Sequence, residues 1–117
     1  MNKEFIPYEQ ALALKELGFD EPCFGHYLIK KFYLKKYHKQ GNGITLRPLY
    51  QQAFKWFREN HMLFYDNLHY VGDVWKFTTY SDNPHHYFNS SEYKTYEEAE
   101  LECLKKLIEI TKKEETK

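Results

Sequence analysis

The chain has 117 residues, 19% aromatic and 29% charged, with 17 Lys and Arg balancing 17 Asp and Glu. That length suits one hydrophobic core and is short for two. A mean hydropathy of -0.81, with no long apolar run, excludes a membrane-spanning helix.

Residues 7–17, PYEQALALKEL, predict a first helix. Pro7 suits the first helical position, where its missing N–H costs nothing. Gly18 is the expected left-handed cap, with Phe19 folding back on Leu14. Tyr8, Ala11, Leu14 and Leu17 form the buried stripe, and Asp20-Glu21-Pro22 stops the chain. Residues 23–38 are rich in Tyr, Phe, Leu and Ile, which suit strands. Their length favours a hairpin turning near Ile29 to Lys31 over one long strand, although no Gly, Asn or Asp marks the turn. QGNG at 40–43 reads as a loop.

Pro48 opens a second helix over 48–60, PLYQQAFKWFREN. Leu49, Ala53, Trp56 and Phe57 share one side, with Tyr50 and Phe54 flanking them and Asn60 as a cap. Gln51, Lys55 and Arg58 make the polar face. From Met62 to Tyr93 the pattern is of strands, with turns at Asp66-Asn67 and Gly72-Asp73. Alternation directs Trp75 and Phe77 to the core. SDNPHH at 81–86 reads as a loop, and YFNSSEY after it as an edge strand.

Thr95, with Glu98 three residues on, forms a capping box for the last helix. Tyr96, Ala99, Cys103, Leu107 and Ile110 give its apolar face, widened by Leu104 and Ile108, and the tail over 110–117 should fray. The order α-ββ-α-βββ-α implies a single α+β domain over 1–117, with a largely antiparallel sheet and helices packed on it.

Charge is segregated along the chain. From His26 to Arg58 there are eight basic residues and no acid, against net charges of -3 before and -5 after. The centre of this segment, LIKKFYLKKYHKQ at 28–40, alternates rings with lysines. Lysines hold phosphates and release counterions, and rings between them stack on bases, as on a single-stranded RNA surface. The candidate binding residues are Lys30, Lys31, Tyr33, Lys35, Lys36, Tyr37, Lys39, Arg47, Lys55 and Arg58. In an extended stretch Lys31, Tyr33, Lys35, Tyr37 and Lys39 would share one face, with Phe32 and Leu34 on the other. A solvated, lysine-guarded sheet edge is the competing reading and stands beside it.

Other chemistry is poorly supported. The opening MNKEFIPYEQ lacks the pattern of a secretory signal. Cys23 and Cys103, far apart, read as reduced buried thiols rather than a disulfide framework, so a cytoplasmic location is expected. Of the six histidines, none has a zinc-ligand spacing, and they read as surface or turn residues. No glycine-rich phosphate loop follows GNG. The chain is therefore read as a non-enzyme with no metal or cofactor; a small nuclease is the weakest alternative.

Three stretches, FIPYEQALALKELGFDEPCFG at 5–25, PLYQQAFKWFREN at 48–60 and TYEEAELECLKKLIEI at 95–110, resemble a family of small proteins that recur on phages and other mobile elements of bacteria. The resemblance spans the helices, roughly half the chain, and carries no catalytic motif. It implies a counter-defence factor similar to anti-CRISPR proteins, acting on an RNA-guided RNase of type VI. The implied partner is that effector, its guide RNA, or both. The alternative is another host protein bound independently of RNA, and no membrane is involved.

Overall fold

The computed structural model describes residues 4–82 and 85–115, with 66–71, 82 and 85 by their backbone alone. It contains three helices and six strands in two antiparallel sheets, an α+β architecture whose helices and strand groups follow the expected order. The chain divides into two compact units, Met1–Ala53 and Phe54–Lys117.

In the first unit, helix α1 (Tyr8–Glu16) begins with Pro7 as its N-cap, at φ -66° and ψ 160°, one residue earlier in role than the expected first helical position. Its end follows the sequence chemistry closely. Gly18 takes φ 100°, the Gly18 N–H donates to the Lys15 carbonyl at 3.1 Å, and the Phe19 N–H donates to the Leu14 carbonyl at 2.9 Å. These are the paired bonds of a Schellman ending, and Leu14 and Phe19 are both fully buried.

Strands β1 (Gly25–Leu28) and β2 (Lys31–Tyr33) form the expected hairpin, in register at Leu28↔Lys31. The turn has no glycine, and Ile29 itself takes φ 63°, a rare state for a β-branched residue. Its N–H donates to the Gly43 carbonyl at 2.6 Å. An additional strand, β3 (Ile44–Arg47), pairs with the far side of β1, giving the order β2-β1-β3. Four residues between a glycine loop and Pro48 are too few to show a strand period. Gly25 matters for packing: a Cβ there would lie 2.7 Å from Phe32 Cε1. Ile6, Ala11, Leu14, Phe19 and Leu46 form the buried centre of this unit.

Helix α2 (Tyr50–His61) starts two residues after Pro48 and runs across the division between units. Ala53, Phe54, Trp56 and Phe57 are buried and Gln51, Lys55 and Arg58 exposed, as the periodicity predicts. Asn60 is not the cap; its side-chain amide donates back to the Trp56 carbonyl, and Met62, at φ 52°, leaves the helix.

The second unit carries β4 (Phe64–Val71), β5 (Val74–Asp82) and β6 (His85–Asn89), hydrogen-bonded in that order. Gly72, at φ 64°, turns β4 into β5 as expected. Asp66-Asn67 is not a turn: β4 continues through it, and the register shifts between Asp66 and His69. Nor is 81–86 wholly a loop, because Ser81↔His86 and Asp82↔His85 pair; residues 83 and 84 lie outside the described residues. The strands thus divide into two sheets of three, where the sequence suggested one.

Phe77, Thr79 and Ser81 are buried on the β5 face that packs against helix α3 (Tyr96–Glu115). That helix contributes Ala99, Cys103, Leu104, Leu107 and Ile108. Burying each of the larger side chains is worth about 1.5–3 kcal/mol. Thr95 Oγ1 accepts the Glu98 N–H at 3.1 Å, as the cap predicts. Tyr96 is 39% exposed rather than core, its ring edge-on to Trp75 and its hydroxyl donating to Glu100. The segment from 110, expected to fray, is helical to Glu115, and Thr111 within it is buried.

Candidate nucleic-acid interface

The β1–β2 hairpin and the loop after it carry most of the sequence-predicted site. Lys30 sits in the turn, Lys31 and Tyr33 on the outer face of β2, and Lys35, Lys36, Tyr37 and Lys39 beyond it, all exposed. Strand geometry ends at Tyr33, so the predicted alternation holds for 31–33 only. Leu34, expected with Phe32 on the face opposite the lysines, is 61% exposed.

What organises the exposed rings is His26, on β1. It is buried, against the expectation that the histidines lie at the surface or in turns. Its ring stacks on Tyr33 at 5.6 Å and lies 4.8 Å from Tyr37. Its Nδ1 is 3.0 Å from the Lys35 carbonyl. A carbonyl only accepts, so Nδ1 carries the proton and donates. The two tyrosines therefore flank a fixed imidazole and keep their remaining surface for solvent. Lys31 Nζ sits 5.7 Å from the Tyr33 ring centre.

The loop after β2 lacks regular structure but is tied down. Cys23 and Tyr37 exchange two backbone hydrogen bonds of 2.9 Å. The Gln40 N–H donates to Asp20 Oδ1, its side-chain amide donates to the Phe19 carbonyl, and its Oε1 accepts from the Leu46 N–H. Lys15 Nζ donates to the Gly41 and Ile44 carbonyls at 2.7 and 2.8 Å. None of these anchors announces itself in sequence, because each joins segments made adjacent only by folding.

Arg47 does not belong to the exposed face. It is 6% exposed, its guanidinium lies 4.5–5.5 Å from the ring centres of Phe32, Tyr27 and Phe5, and its Nε donates to the Ile6 carbonyl at 2.6 Å. Burial lowers its pKa, opposed by the nearby phenol groups of Tyr27 and Tyr50, which favour the cation when ionised. Lys55 and Arg58 are exposed on α2, in the second unit. Seven of the eight cations of the acid-free segment are thus open to solvent.

Nucleophilic chemistry finds little purchase at either cysteine. Both thiols are buried and free. Burial and the Glu21 charge push Cys23 up to about 12, and burial with Glu100 raises Cys103, so both stay protonated at neutral pH. A concavity of about 220 Å³ in the second unit includes His61, Ser81, His86 and Glu114. Burial holds His61 below its ordinary range, and His86 Nε2 lies 2.9 Å from Thr79 Oγ1. Among the described residues no three His, Cys, Asp or Glu side chains are grouped to hold a metal ion, and no helix is long and apolar enough to cross a membrane.

Fold and surface together define a small α+β chain with a fixed basic and aromatic face. Comparison with protein-family models, with curated proteins and with solved structures yields no match.

Proposed function

We propose that this chain is a non-enzymatic binding protein of the counter-defence kind, engaging an RNA-guided effector through its guide RNA. The observation that carries the RNA part is the Tyr33–His26–Tyr37 ring cluster, set among five exposed lysines with no acid between His26 and Arg58. Lysines at that density attract phosphates, and rings already held in place stack on unpaired bases with little loss of their own freedom. The counter-defence part rests on the resemblance of the three helical segments to mobile-element proteins. A second reading, a protein partner bound without RNA, is favoured by large apolar residues on the same unit: Phe24, Leu28, Ile29 and Leu34 are 46–73% exposed.

The test is fluorescence anisotropy with a labelled single-stranded RNA across a salt series. Affinity falls steeply with salt, the triple change Lys31→Glu, Lys35→Glu, Lys39→Glu abolishes it, and Tyr33→Ala weakens it about tenfold. Salt-insensitive capture of a host protein, unchanged by the triple substitution, would sink the RNA reading.

A further inference from the structure

Beside the lysine loop the first unit holds a cleft of about 330 Å³. Its apolar lining is Phe5, Phe24, Leu34 and Leu49, with Lys35, Lys36 and Glu4 completing it. Phe24 and Leu34 are 62% and 61% exposed, so two large apolar side chains in the lining of one concavity are open to solvent. A phosphodiester backbone has little use for apolar walls, and Leu34 and Leu49 offer a base no ring to stack on.

The cleft is built rather than incidental. Two of its lining residues, Phe5 and Leu49, are joined by a backbone bridge, next to the Ile6 N–H donating to the Pro48 carbonyl at 3.0 Å. Phe5 is held in turn by the Phe32 ring at 5.5 Å and the buried Arg47. The wall bearing Leu34, Lys35 and Lys36 is fixed by His26 at the Lys35 carbonyl and by the Cys23–Tyr37 pair. A pocket whose walls are already ordered loses little entropy on filling.

We propose that this cleft receives an apolar side chain from an acidic segment of a protein partner. The apolar lining takes the side chain, and charge complementarity names its surroundings. Lys35 and Lys36 stand at the cleft, Lys30, Lys31 and Lys39 belong to the same acid-free run, and Glu4 is the one acid in the lining. Carboxylates flanking the anchor residue meet the lysines. The inference rests on the reading of the chain as a binding protein, and adds a protein contact to the RNA contact.

The probe is a short capped peptide with a central phenylalanine between two pairs of carboxylates, titrated into the full chain and followed by amide chemical shifts. Saturable shifts appear at Phe24, Leu34 and Leu49. The alanine-centred peptide binds about tenfold more weakly, and Lys35→Glu with Lys36→Glu weakens binding about fivefold or more. Phe24→Ser with Leu34→Gln removes the shifts while spectral dispersion and RNA affinity persist, since both side chains are exposed. Three outcomes overturn the proposal: no saturable shift at the cleft, equal binding of the alanine peptide, or cleft shifts that follow self-association of the chain or added RNA instead of peptide. Peptide binding without RNA binding removes the RNA reading and leaves the pocket; RNA binding without peptide binding does the reverse.

Discussion

Two residues behave against their type. Ile29 holds a left-handed conformation that costs a β-branched side chain about 1–2 kcal/mol, and it is 73% exposed, so little packing offsets the cost. Glycine carries an entropic penalty of about 0.5–1 kcal/mol. Ile29→Gly is therefore expected to stabilise the chain by roughly 0.5 kcal/mol or more, read as a higher denaturant midpoint. Arg47 is the opposite case, a cation spent on structure. Removing its cation–π contacts and its bond to Ile6 costs about 2 kcal/mol. Arg47→Ala is expected to lower the denaturation midpoint and leave the RNA affinity of the folded protein unchanged. The position of the hairpin turn was legible from the length of the β-rich run. The burial of Arg47 was not, because its cage draws rings from Phe5, Tyr27 and Phe32, and nothing local records that meeting.

At the scale of elements, the helices were the most readable parts because their ends are written in local chemistry. Gly18 and Thr95 each do what their backbone and hydroxyl permit, and α2 buries the predicted side. Strands were harder. β3 is too short to show a period, and Asp66-Asn67 has turn composition yet is absorbed as a register shift within β4. The end of α2 carries a pH dependence. His61 packs against Trp56 and Phe57, and burial lowers its pKa, opposed in part by Glu115. The folded state thus prefers the neutral ring. His61 contributes stability above the unfolded pKa of about 6.5, and this is lost as pH falls through the lower folded value. Denaturant midpoints measured from pH 7.5 down to 5 should decline, and His61→Phe should flatten that part of the decline.

For the molecule as a whole, the formal net charge is zero, yet the run from His26 to Arg58 is +8 and the remainder -8 by the same count. Average charge therefore predicts its behaviour poorly, since a concentrated field acts on polyanions within a Debye length. The protein is expected to be retained on immobilised heparin at low salt at neutral pH, and the triple lysine-to-glutamate variant to pass through. The segregation was visible in the sequence; which of its cations face solvent was not, and the fold removes Arg47 from the count.

The backbone ties of the lysine loop have a further consequence for how partners are chosen. Amides of Tyr37 and Gln40 are occupied within the protein, so the loop offers side chains on a frame of set spacing. A ligand cannot recruit affinity by reshaping that frame. Selection falls on the geometry the ligand brings with it, and a sequence of the right charge but the wrong spacing gains no second chance through adaptation.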